Sequence, residues 1–273
     1  MDKQRTLSQR IHSINGCIEA EQIHAYHQYY IANARAREEF TSMWSMSDQV
    51  AWGFNWGRAR GWREVWWCCV GRMDLSVHEG FREIVERWPE AGGREPRGLG
   101  YYEMNELNSG VVEAAEDGQS VRASWLCHGY APMSLTASGH KEGSFTIERY
   151  GADFVFEDGQ WKYLHEIVAT DMHQPFDHKN WGRGEYLAAR KREGELTDEE
   201  LAGTDYNVPP PVGGMAPPPR SEAFDAHEVY GLMQRVQRSC QYPQPYRTLD
   251  DDNSYAPYMD PADFVQHEDW LQW

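Results

Sequence analysis

Apolar residues in the first part of the chain recur at steps of three or four. Ile11, Ile14, Ile18, Ala25, Tyr29, Ala32, Ala36, Phe40 and Met43 form one stripe. That period predicts an amphipathic helix over 7–44 with the stripe turned to the core. A second stripe of Ile23, Tyr26, His27 and Tyr30 widens the apolar arc, and Asn15-Gly16 is a candidate break. A short strand is predicted over 49–57, punctuated by Gly53 and Gly57, and a second helix over 62–88, ending before Pro89. From Val111 the period becomes two. Val111–Ala115 and Val121–Tyr130 flank the turn Glu116-Asp117-Gly118. On the latter strand Val121, Ala123, Trp125 and Cys127 share one face, and Arg122, Ser124, Leu126, His128 and Tyr130 share the other. Phe145–Phe156 and Trp161–Thr170, joined by Glu157-Asp158-Gly159-Gln160, read as a hairpin. Strict alternation puts Trp161, Tyr163, His165 and Ile167 on one face of its second strand.

Beyond residue 175 the pattern loosens. A helix is expected near Glu185–Arg192, and residues 176–203 read as a helical connector. Val208–Pro219 is rich in Pro and Gly and should be extended. The tail after it carries Tyr230, Tyr242, Tyr246, Tyr255, Tyr258, Phe264, Trp270 and Trp273. So many aromatics predict an ordered arm over 204–273, packed on the body of the chain or on a neighbouring subunit.

Charge and composition narrow the functional classes. The 273-residue chain has a formal net charge of −17, which disfavours polyanionic partners and basic contacts to lipid. No apolar run is long enough to span a membrane, and the polar N-terminus lacks the apolar core of a signal peptide. Five cysteines without a CxxC pair fit a reducing compartment, so a cytoplasmic protein is expected. Tryptophan stands out: six of the 12 lie between residues 44 and 67. Within FNWGRARGWREVWW, Phe54 to Trp67, indoles alternate with Arg58, Arg60 and Arg63. Clustered indoles either build a core corner or line a site for a flat ligand.

Helix, short strand, helix, then long antiparallel strands is an α+β order. Three segments, SDQVAWGFNWGRARGWREV, VVEAAEDGQSVRASW and ERYGADFVFEDGQWKYLHEIV, resemble in order three segments of SnoaL-like proteins of the nuclear-transport-factor-2-like superfamily. The resemblance covers about residues 15–172, and residues 1–175 are expected to form the domain. It implies a cone-shaped α+β barrel: a curved mixed sheet around a long N-terminal helix, enclosing an apolar cavity. It also implies proton transfer on a hydrophobic substrate without metal or organic cofactor, as in polyketide cyclases, scytalone and bile-acid dehydratases, ketosteroid isomerase and lignin diarylpropane lyases. Dimers or trimers are common in the family, and many members only bind ligands.

The resemblance places His165 on the last long strand as a candidate base, with His128 as its partner from a neighbouring strand. Tyr29 or Tyr30 on the long helix would polarise a carbonyl or leaving oxygen. The carboxylate that family members carry a few residues later is replaced near Asn33, which leaves Asp48 as the next acidic candidate. Trp52, Trp56 and Trp125 would bracket aromatic rings, and Arg58 or Arg149 would clamp a phenolate or carboxylate. Spacings for a metal site are absent; His24 and His27 stand merely one helical turn apart. The sequence thus predicts a cofactor-independent lyase that removes water or a small carbonyl fragment from an aromatic or polycyclic compound, for example a lignin-derived diaryl. An isomerase or cyclase using the same proton shuttle, a non-catalytic binding protein and an assembly module are the alternatives.

Overall fold

The computed structural model describes residues 5–33, 35–54, 57–71, 85–86, 89–93, 104–135, 141–175, 222–223, 242–251 and 253–256. Helix α1 spans Leu7–Ala32. Its start is fixed by a reciprocal cap: the Thr6 hydroxyl accepts from the Gln9 amide, and the Gln9 side chain accepts from the Thr6 amide. The predicted long helix breaks at Asn33–Arg35 and not at Asn15-Gly16, and α2 (Ala36–Met43) resumes beyond the break. Gly16 serves packing. A Cβ there would meet the Trp161 indole at 2.5 Å. Gly16→Ala should therefore destabilise the fold by about 1–3 kcal/mol, as overpacking does, although Ala is the better helix former. Urea denaturation reads this directly; unchanged stability would mean that the indole moves aside at no cost.

Strands β1 (Ala51–Phe54) and β2 (Gly57–Arg60) form a short hairpin. A single α-helical turn, α3 (Trp62–Trp66), follows and widens into a π-turn at Trp67–Gly71. Of the helix predicted to continue towards Pro89, residues 72–84 lie outside the described residues. The long strands are β3 (Met104–Ala114), β4 (Ser120–Leu135), β5 (Lys141–Glu157) and β6 (Gln160–Pro175). The turn between β5 and β6 is the two-residue type the sequence predicted, with positive φ at Asp158 (53°) and Gly159 (81°). With β7 (Glu222–Ala223), the sheet order is β3-β4-β5-β6-β1-β2-β7, and β1 runs parallel to β6. The architecture is the expected α+β one, a mixed sheet with α1 against its concave face.

The face of α1 that packs on the sheet is Ser13, Gly16, Ala20, Ile23, His24, His27 and Gln28. The predicted isoleucine stripe points the other way: Ile11, Ile14 and Ile18 are about half exposed, as is Tyr29 to a greater degree. Small residues at 13, 16 and 20 let the helix approach Trp161 and the strands closely, and histidines replace aliphatics where it meets Trp125 and Tyr163. The convex face is also covered. Residues 242–256 run across it, Tyr255 packs on Gly151, and the Glu116 and Asp117 amides donate to the Tyr246 and Arg247 carbonyls. The connector and, apart from β7, the rest of the arm fall outside the described residues.

Candidate functional site

One irregularity in β6 decides which side chains share the interior. Asp153 pairs with His165 and Phe154 with Tyr163, so Leu164 is an extra residue, a β-bulge. The alternation that put Tyr163 and His165 on one face therefore fails at that point. Tyr163 and Glu166 face α1. His165 turns to the convex face, where its Nδ1 lies 2.8 Å from Asp153 Oδ2 and its Nε2 3.1 Å from the Gln49 carbonyl.

Inside the cone, α1, α2, β1 and β6 bring five titratable groups together. His27 Nδ1 lies 2.8 Å from Glu39 Oε1, which also accepts from Trp44 Nε1 at 3.0 Å. His27 Nε2 is 3.7 Å from Glu166 Oε1. Glu166 Oε2 accepts from Trp52 Nε1 at 3.1 Å. His24 Nδ1 is 2.6 Å from the Tyr163 hydroxyl and 3.8 Å from Glu166 Oε1, and its ring stacks on Trp125 at 3.9 Å between centroids. Glu166 is completely buried, as are His24 and Tyr163.

Burial sets the protonation states. It pushes the Glu166 carboxyl up to about 7, helped by the negative charge of Glu39 and opposed by His27 and the Trp52 hydrogen bond. Burial, with His27 beside it, drives His24 well below its ordinary value, so it is neutral at pH 7. Burial and then the Glu166 and Glu39 charges hold Tyr163 as a phenol. Three groups of this cluster keep polar atoms without a hydrogen-bond partner: His24 Nε2, Glu166 Oε1 and both amide atoms of Gln28. Native interiors rarely leave such atoms unmatched. Among the described residues no His, Cys, Asp or Glu side chains group in threes to hold a metal ion.

The residues singled out from sequence scatter over both faces of the sheet. Trp52 and Trp125 line the interior. His128 is on the solvent face of β4, 3.2 Å from Glu106 and hydrogen-bonded to Asn108, so it does not approach His165. Tyr29 is 71% exposed, and half-buried Tyr30 lies under the Arg35 guanidinium at 5.3 Å. Arg149 is opposite Leu126 on the convex side. His165 and Asp48 do meet, but in a cleft of about 480 Å³ beneath the arm, lined also by Asp117, Thr248, Asp250 and Ser254. Trp56 and the Arg58 side chain lie outside the described residues. The residues that sequence reasoning missed are the pair His24 and His27, then Glu39, Tyr163 and Glu166. The helical spacing 13, 16, 20, 24, 27 of small residues and histidines was a signal for the first; a bulge carries none that periodicity can read.

No protein-family model matches the chain, and neither does any curated protein. Solved structures do resemble it. An NTF2-like superfamily protein from Salmonella enterica serovar Typhimurium LT2 aligns at 14% identity over 57% of this chain and 92% of its own, with a TM-score of 0.38. A hexachlorocyclohexane dehydrochlorinase, LinA-type3, from Novosphingobium barchaimii LL02 aligns at 13% identity over 63% and 95%, TM-score 0.38. A scytalone dehydratase candidate from Novosphingobium aromaticivorans DSM 12444 aligns at 8% identity over 64% and 94%, TM-score 0.40. Among the described residues no helix is long and apolar enough to cross a membrane. The mixed sheet folded around a long N-terminal helix, expected from three sequence segments, is present in the coordinates, and the solved structures resembling it include proteins of the nuclear-transport-factor-2-like superfamily.

Proposed function

We propose that the chain is a cofactor-independent lyase for a flat aromatic or polycyclic small molecule, with His27, Glu39 and Glu166 as its proton-transfer set. The observation carrying this is His27 held between two carboxylates. Glu39 at 2.8 Å fixes the ring, and Glu166, at 3.7 Å from the other nitrogen, titrates near neutrality. A buried carboxyl that keeps its proton near neutrality, set beside an imidazole, offers the acid and the base that elimination needs. His27 Nε2 takes a proton from a substrate carbon, and Glu39 stabilises the imidazolium so formed. The electrons of that C–H bond form the new double bond, and the bond to the departing oxygen breaks. Protonated Glu166 donates to that oxygen, which leaves as water or, where it carries a carbon substituent, as an alcohol, and Glu166 is left as the carboxylate. Trp52, through its hydrogen bond to Glu166, and Trp125, through its stack on His24, join the same cluster, and indole faces suit flat rings.

Two roles given earlier to other residues pass to this set. His165 is engaged by Asp153 and the Gln49 carbonyl on the far side of the sheet, and Tyr163 in the interior takes the place expected of a helix tyrosine. The test is turnover of phenolic diaryl and steroid panels by purified protein. On any compound converted, His27→Ala should lower kcat at least ~100-fold, whereas His165→Ala leaves chemistry within a few-fold. Ligand binding that survives His27→Ala with no compound turned over by the parent would favour a carrier.

A further inference from the structure

The outward side of α1 carries an apolar seam that the described residues leave uncovered. Leu7, Ile11, Ile14 and Ile18 are 72%, 50%, 58% and 49% exposed. They lie directly opposite Gly16, Ala20, His24 and His27, which face the sheet. Isolated exposed apolar residues are ordinary, but four on one seam of a regular helix form a patch of the kind that marks an interface.

The spacing identifies the occupant. Steps of four, three and four are the repeat by which one helix packs along another. The set 7, 11, 14, 18 is also symmetric about its midpoint. When two copies cross antiparallel about a two-fold axis there, Leu7 meets the partner's Ile18 and Ile11 meets the partner's Ile14. All four residues are then covered by the same four, which is the self-complementarity that an isologous dimer requires. Charge agrees. The body is strongly acidic, yet from Lys3 to Ile18 the chain carries Lys3, Arg5 and Arg10 and no acid. Two copies of net charge −17 repel least through such a surface. The positions flanking the seam, Ser8 and Asn15 on one side and Arg10 and Cys17 on the other, set no like charges opposite each other.

We infer that this chain forms a two-fold dimer through antiparallel pairing of its α1 helices over Leu7–Ile18. The proposal is independent of the chemistry in the cone. The interface is small, so the dimer dissociates in the micromolar range. Sedimentation of the full chain from about 1 to 100 µM should show a shift from 31.6 kDa to twice that mass. Ile11→Lys and Ile14→Glu, both at exposed positions, should each leave circular dichroism and thermal unfolding unchanged and weaken self-association by roughly 100-fold or more. Mixing the two variants should restore a dimer, because the substituted positions then meet as opposite charges and the remaining Ile11–Ile14 contact is native. A parent that stays monomeric at about 100 µM, or a dimer that persists in Ile11→Lys, overturns the interface. Failure of the mixture to associate overturns the antiparallel register.

Discussion

Asp153→Ala will lower the stability of the protein by about 3–5 kcal/mol and release the segment that crosses the convex face of the sheet. Asp153 is completely buried. Its Oδ1 accepts from Arg122 Nε at 3.2 Å, while Oδ2 accepts from the Tyr255 amide at 2.6 Å and pairs with His165 Nδ1 at 2.8 Å. One carboxylate thus answers a guanidinium, an imidazole and a backbone donor. Arg122 is itself buried, its guanidinium 4.5 Å from the Tyr255 ring centroid and 5.8 Å from that of Tyr246. Removing the acid strands a charge beneath the arm and leaves the Tyr255 amide without its acceptor, and a lone buried charge costs more than the pair contributed. Urea denaturation measures the loss, and hydrogen exchange at Tyr255 reports whether the arm lets go. Replacing both members of the pair by apolar residues, as Arg122→Met with Asp153→Leu, should recover a large part of that stability, since no guanidinium is then left unpaired. A single variant within 1 kcal/mol of the parent, a result typical of exposed pairs, would show that water reaches Arg122 under the arm.

This arrangement also explains how much of the molecule could be read before its coordinates. The order of the strands and the β5–β6 turn follow from period and turn chemistry, which are local, whereas all four long strands run longer than the alternation predicted. The orientation of α1 does not. Its most apolar stripe is the exposed one, because the interior demands small residues beneath Trp161 and polar ones beside Glu166, while Ile11, Ile14 and Ile18 answer to some other surface. Hydrophobic periodicity locates a helix but identifies its buried side only when that side is a plain core. The choice between His165 and Glu166 rests on a single inserted residue, Leu164, and a slip of one position exchanges the two faces of a strand. His165 was read as a candidate base beside His128; that it pairs with Asp153 under a distant arm is a tertiary fact. Trp52 and Trp125 lie on strands whose alternation holds, and both side chains face the interior.

Glu166→Gln will make the protein more stable than its parent at neutral pH, by a margin that grows from about pH 4 to 7 and levels off above it. The sign follows from the direction of the shift. The folded carboxyl sits at about 7 because burial disfavours its charge, whereas in the unfolded chain it returns to an ordinary value near 4.3. Between those values the folded state holds the proton and the unfolded state has lost it. The stability contributed by Glu166 is therefore fully present below about pH 4 and is lost as pH rises through 7. The difference corresponds to roughly 3–4 kcal/mol at 1.36 kcal/mol per unit, and complete burial leaves no exposed fraction to discount. Glutamine keeps an oxygen for the Trp52 indole and has no charge to bury. His24 acts in the opposite sense: its folded value is depressed, so it costs stability as pH falls below its ordinary range. That term is common to parent and variant and cancels in their difference. Stability curves of both proteins from pH 4 to 8 should therefore diverge across this window by roughly 3–4 kcal/mol, the variant gaining. Curves that stay parallel would place Glu166 at an ordinary carboxylate value, and the proton it is assigned to deliver would then be gone at neutral pH.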